Sequence, residues 1–148
     1  MKKFTSFWFG LALICLSFSL LGQEVDISID HPVSVKAGEA FEVTVTIAKG
    51  SLTDYSRFSQ DLPLGLTASN VESPNADFSF DNQRIRIIWL KLPDVEEIKV
   101  TYKIMVDERL KGKFILGGVF AYVVDEERKF LNFDKSDEIS IIPSTSLD

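Results

Sequence analysis

The chain has 148 residues, 16 basic against 22 acidic side chains for a formal net charge of −6, one histidine, one cysteine and a 45% hydrophobic share. That share is too high for an intrinsically disordered chain, and the acidity argues against nucleic acid or anionic lipid as partner, because both need a basic patch. A single cysteine excludes a disulfide within the chain and any zinc site assembled from several thiolates.

The N-terminal 22 residues read as an export signal. Lys2 and Lys3 form a short positive head, an uncharged apolar run follows from Phe4 to Gly22, and the first acid is Glu24. This order is that of a secretory signal peptide. Cleavage after Gly22 leaves the bulky Leu20 at position −3, whereas cleavage after Ser19 places the small Ser17 and Ser19 at the two preferred positions. The rival is an uncleaved N-terminal anchor, since 19 uncharged residues are about enough to cross a bilayer. Thr5, Ser6, Ser17 and Ser19 dilute the run, which favours the signal. Cys15 does not read as a lipidation site, because Ile14 stands before it where a small residue is needed. The expected organisation is a signal peptide over 1–22, one domain over 23–143 and a short tail over 144–148. Removing the signal takes two lysines and no acids, leaving 14 basic against 22 acidic residues and a net charge of −8, with no cysteine. The 126 residues that remain fit one domain able to bury a core without staples. No membrane span is expected after cleavage.

Beyond the signal the dominant hydrophobic period is two, which predicts half-buried β-strands. Val25, Ile27 and Ile29 alternate with Asp26, Ser28 and Asp30, and Pro32 punctuates. Val33 and Val35 continue briefly to a turn at Lys36–Glu39, and Phe41, Val43, Val45 and Ile47 then share one face of a clean strand. Tyr55 to Phe58 is a weaker strand, and Asp61 to Thr67 is interrupted by Pro63 and Gly65, which places it at an edge or a bend. Residues 70–75 read as a loop with a turn at Ser73-Pro74-Asn75, and Phe78 and Phe80 lead to a hairpin at Asp81-Asn82-Gln83.

Arg84 to Leu92 predicts the central strand, with Ile85, Ile87 and Trp89 on one face and an opposite face that turns apolar at Ile88 and Leu90. Pro93 and Asp94 stop it. Ile98, Val100, Tyr102, Ile104 and Val106 alternate almost without fault. A turn at Lys111-Gly112-Lys113 precedes a strand from Phe114 to Val124, in which Gly117 and Gly118 imply a bulge or a close backbone approach. Residues 125–128 form a polar hairpin tip, Phe130 to Phe133 a short strand, and Ile139 to Ile142 the last. About nine short strands without a helical period predict an all-β, Ig-like antiparallel sandwich, its consecutive strands paired as hairpins.

Three segments occur in a recognisable order: Asp61-Leu62-Pro63-Leu64-Gly65-Leu66-Thr67, Ile87-Ile88-Trp89-Leu90-Lys91-Leu92-Pro93, and Val100-Thr101-Tyr102-Lys103-Ile104-Met105-Val106. Together they resemble the DUF11 family of bacterial Ig-like surface repeats, with its D-x-LP-x-GLT segment, its tryptophan-led LP segment and its T-x-T-x-x-V strand. The likeness runs from about Val33 to Val106. Lys103 stands where the family has a second threonine, and Phe114–Val119 replaces the family's usual closing strand. More distantly, Val33 to Ile47 is similar to the opening of cohesin-type sandwiches. Both resemblances imply an exported, non-enzymatic Ig-like domain, and neither implies a ligand.

Catalytic vocabulary is sparse. His31, the single histidine, sits before Pro32 at a strand end, where a structural role is ordinary, and a hydrolytic triad demands far more geometry. No G-x-S-x-G, H-E-x-x-H or phosphate-binding loop occurs. The acid runs Asp94/Glu96/Glu97, Asp125/Glu126/Glu127 and Asp134/Asp137/Glu138 lack the spacing of a calcium loop, so solvated turns are expected and calcium is conceivable only if two loops converge. Trp89 and Tyr102 belong to core faces, and one of Tyr55 and Phe58 is expected to be exposed. No catalytic, cofactor-binding or metal-ligating residue is assigned. The expectation is a non-catalytic, exported binding or structural module of the periplasm or cell surface. Its partner would be an envelope or surface protein, and a carbohydrate-binding module is the alternative.

Overall fold

A computed structural model describes residues 25–133 and 138–144. The signal expected over 1–22, the acids Asp134 and Asp137, and the tail from 145 onward lie outside the described residues. Twelve strands follow in chain order: β1 Asp26–Asp30, β2 Ser34–Lys36, β3 Ala40–Ala48, β4 Ser56–Asp61, β5 Leu66–Glu72, β6 Asp77–Asp81, β7 Arg84–Trp89, β8 Glu97–Val106, β9 Gly112–Ile115, β10 Val119–Val124, β11 Glu127–Asn132 and β12 Glu138–Ile142. They form a four-stranded sheet ordered β1-β3-β8-β5, a five-stranded sheet ordered β11-β10-β4-β7-β6, and a small sheet ordered β2-β12-β9. The four-stranded order corresponds to the A-B-E-D sheet of Ig-like sandwiches. The fold is thus all-β and sandwich-like, as the alternation requires.

The alternating apolar sets meet between the sheets. Val43, Val45 and Ile47 of β3 and Val100, Tyr102 and Ile104 of β8 are buried on one side. Ile85, Ile87 and Trp89 of β7, Phe58 of β4 and Phe120 of β10 are buried on the other. Rings cross the gap: the centroid of Tyr102 lies 6.4 Å from that of Phe58 and 6.0 Å from that of Phe78. Among the described residues Lys49, Ser56 and Gln60 are polar side chains buried in this apolar interior. The Tyr102 hydroxyl donates to Gln60 Oε1, and Gln60 Nε2 donates to the Leu116 carbonyl at 3.1 Å. One amide therefore ties β8, β4 and the β9–β10 connection. Lys49 closes β3, its Nζ donating to the Leu52 carbonyl at 2.7 Å and fixing the crossing from one sheet to the other. Burial holds that ammonium below the ordinary lysine range, and the charge of Asp94 partly restores it.

Several expectations are corrected. Among the described residues twelve strands stand where about nine were expected, in part because the brief Val33–Val35 segment pairs on its own as β2 and the Phe114–Val124 segment divides into β9 and β10. Phe114–Val124 is not one strand. It breaks at 116–118, sending β9 to pair with β12 and β10 to pair with β4 and β11. A Cβ on Gly118 would lie 2.6 Å from the Ser59 carbonyl oxygen, so the glycine permits the close approach that its sequence context implied. β7 ends at Trp89, and Leu90 is 78% exposed rather than buried. The chain must leave the five-stranded sheet there, and Leu92 returns to the core with its N–H on the Thr53 carbonyl at 3.0 Å. Residues 70–72 extend β5 as an edge strand, with a register shift between Asn70 and Glu72.

Consecutive pairing holds only for the hairpins β6–β7 and β10–β11. Their turn pairs Asn82-Gln83 and Asp125-Glu126 have positive φ at both positions, the geometry that matches hairpin twist. The remaining neighbours are distant in sequence, and β2 and β12 run parallel. Asp61–Thr67 is the expected bend. It carries the chain between sheets, pinned by Gln83 Nε2 donating to the carbonyls of Pro63 at 2.9 Å and Leu66 at 3.0 Å.

Candidate functional site

The inward set of β4 is Ser56, Phe58 and Gln60, so its outward set is Arg57, Ser59 and Asp61. The ladder places these beside the outward residues of β7, β6, β10 and β11, and each cross-strand row has a different chemistry. In the first row Arg84 stands between Asp61 and Asp81. Arg84 Nε donates to Asp61 Oδ1 at 2.6 Å, and that bond, reinforced by the carboxylate's charge, raises the Arg84 pKa above its ordinary value. Both groups are well exposed, so the pair adds little to stability. In the second row Arg86 stands between Ser59 and Ser79.

The third row is different. Arg57 has Ala121 of β10 on one side and Ile88 of β7 on the other. No acid is directly opposite it. Its Nε is buried and makes no hydrogen bond. Buried donors without an acceptor are few in native proteins.

Arg57 opens on a hollow of about 490 Å³, within the range of small-ligand pockets. The walls are of two kinds. Ser59, Asp61 and Arg84 supply polar groups, while Ile115, Val119 and Ala121 supply apolar surface beside the close-packed Gly117-Gly118 segment. Ile115 is more than half exposed, as is Phe130, whose Cα partner across the ladder is Ala121. The hollow therefore offers one guanidinium with an unpaired Nε, one hydroxyl and an aliphatic border, with Phe130 close by across the ladder.

The residues weighed from sequence do not converge on it. His31 Nδ1 donates to the adjacent Pro32 carbonyl at 2.7 Å and meets no serine or acid among the described residues. The acids Asp94, Glu96, Glu97, Asp125, Glu126, Glu127 and Glu138 are exposed, and no group of three metal-ligating side chains forms among the described residues. Trp89 is fully buried, edge-on to Phe120 at 6.3 Å, with an unpaired indole N–H, and Tyr102 is fully buried. Phe58 is buried and Tyr55 half-buried. No helix among the described residues is long and apolar enough to cross a membrane.

Sequence comparison matches the chain to no protein-family profile and to no curated protein. Structural similarity is broader. A DUF4466 family protein from Parabacteroides merdae overlays with a TM-score of 0.51 at 11% identity, covering 80% of this chain and 45% of that one. A GH20 exo-β-N-acetylglucosaminidase from Vibrio harveyi gives 0.47 at 10% identity, covering 83% of this chain and 19% of that one. A non-cellulosomal cohesin from Archaeoglobus fulgidus gives 0.43 at 12% identity, covering 79% and 85%. This chain thus spans less than half the length of the first two. The first likeness supports a shared β architecture and nothing about ligands, and the other two are too distant to inform function.

Proposed function

We propose that this chain is an exported, non-catalytic binding module of the bacterial envelope that engages a protein partner through the outer face of its five-stranded sheet. One observation carries the reading: that face holds a hollow bordered by the half-buried Arg57, whose Nε is buried without a hydrogen-bond partner, a feature that a partner's acceptor would satisfy. The signal-like N-terminus supports export, and the resemblance of its motif order to the DUF11 surface repeats, which no family profile supports, is in keeping with an envelope role. A sugar-binding platform would need two coplanar exposed rings. Phe130 is the one exposed aromatic ring among the described residues, while Phe58 stacks on Phe133 at 5.3 Å and Phe120 on Tyr122 at 5.6 Å.

Site-specific photocrosslinking in intact producing cells tests the reading. A crosslinker at Ser79 or Phe130, both on the proposed face, is expected to capture one and the same protein. A crosslinker at Lys103, on the outer side of the opposite sheet, is expected not to. Equal capture from all three positions, or none from the first two, overturns it. Export is tested separately by fusing residues 1–30 to alkaline phosphatase, which folds actively only after translocation, and an inactive fusion would refute it.

A further inference from the structure

We propose that the Arg57 hollow is a carboxylate-binding site, and that its occupant is an acidic residue of a partner protein's extended segment, flanked by an apolar side chain. This rests on the binding-module reading above and names the chemistry of its contact.

The argument begins with pairing. The four arginines on this face, Arg57, Arg84, Arg86 and the exposed Arg128 of β11, are not equivalent. Arg84 is satisfied by Asp61 at 2.6 Å, and Arg86 has hydroxyls on both sides. Arg57 has apolar neighbours on both sides and a desolvated Nε. A guanidinium is a planar fork whose best complement is a planar carboxylate held by two parallel bonds. The surroundings then choose among anions. Asp61 borders the same hollow, and its charge repels a phosphate dianion more strongly than a single carboxylate. The apolar wall of Ile115, Val119 and Ala121 has no use for a fully hydrated ion, but it fits the side chain next to an acid in a peptide. Ser59 lines the same hollow and adds a hydroxyl donor to it. The chain as a whole is acidic, at −6. Unspecific attraction therefore does not draw an acidic segment, and recognition must be local.

The same logic gives a signature that a structural arginine would lack. If Arg57 stabilised the fold, replacing it would destabilise the protein. An arginine retained for a ligand does the reverse: Arg57→Met keeps an apolar stem beside Ala121 and Ile88 and removes the buried, unpaired Nε–H, so the urea midpoint rises or holds.

The experiment uses ¹⁵N-labelled purified protein and follows the Arg57 Nε–Hε resonance during titration with acetyl-Leu-Asp-Leu-amide. A saturable shift is expected. The Asp-to-Asn version of that peptide is expected to bind at least about ten-fold more weakly, as is the Arg57→Met variant with the original peptide, the loss of one charge-assisted contact. Inorganic phosphate is expected to leave the resonance unmoved at the same concentration. Equal affinity for the two peptides, a phosphate response as strong as that to the acidic peptide, or a lowered urea midpoint in Arg57→Met each overturns the proposal. Peptide failure together with crosslinking from Ser79 and Phe130 removes the carboxylate site and leaves the binding face standing. Failure of both removes the face.

Discussion

The interior amide of Gln60 gives the sharpest test of what holds the two sheets in register. Gln60 is 1% exposed and Tyr102 fully buried, and the phenol of one donates to the carbonyl oxygen of the other. Tyr102→Phe keeps the ring and its packing on Phe58 and Phe78 while stripping that donor, so the cost is close to that of an unsatisfied buried acceptor, about 1–3 kcal/mol. Gln60→Leu leaves the Leu116 carbonyl without its 3.1 Å donor, a loss of similar size that added apolar burial partly offsets. In the double variant the acceptor that Tyr102→Phe would have orphaned is already gone, so the second substitution is cheaper than the first was alone. The cycle should give a coupling of about 1 kcal/mol, well above the 0.3–0.5 kcal/mol scatter of independent sites. Urea unfolding followed by tryptophan fluorescence measures all four proteins, with m-values required to agree. Additive losses within that scatter would refute a cross-sheet tie through this amide and leave Gln60 a bystander.

Three further outcomes follow from backbone and charge. Gly118→Ala pushes a Cβ against the Ser59 carbonyl oxygen at 2.6 Å and should cost about 1–3 kcal/mol by urea unfolding, because backbone rather than a flexible side chain must move. Gln83 has φ of 60° while its amide holds the Pro63 and Leu66 carbonyls. Gln83→Ala loses those bonds and keeps the strain, whereas Gln83→Gly loses the bonds and relieves it, so alanine should be the worse by about 1 kcal/mol. The reverse order would show that the turn carries no such strain. Lys49 has its folded pKa lowered by burial. Between that lowered value and the unfolded value near 10.4 the unfolded chain binds the extra proton, so stability rises with pH across that window. Lys49→Met should lack the rise, and parallel pH profiles for the two proteins would contradict it.

Legibility in the sequence tracked how completely one face of a strand is apolar. β3 and β8 were readable residue by residue because Val43, Val45, Ile47, Val100, Tyr102 and Ile104 are all buried. β4 was not, because two of its three inward residues are Ser56 and Gln60, and a polar residue that pairs inside the core looks like a surface one. That concealed the outward side of the same strand, and Arg57 with it. The usable signal was indirect: Phe58 fixes the parity, and parity sends Arg57 to the outside. Nothing local could reveal that Ala121 and Ile88 would be its neighbours, since those pairings join residues far apart along the chain. Leu90 misled for a related reason. Its hydrophobicity continued the pattern of β7 past the point where the crossing between sheets had already ended it.

The parallel seam between Ser34–Lys36 and Ser140–Ile142 has a kinetic meaning. It joins the second of the described strands to the last, so this pairing cannot form until residues 140–142 are available. Long loop closures of this kind slow the final search. A nascent chain therefore lacks the parallel seam until β12 has emerged.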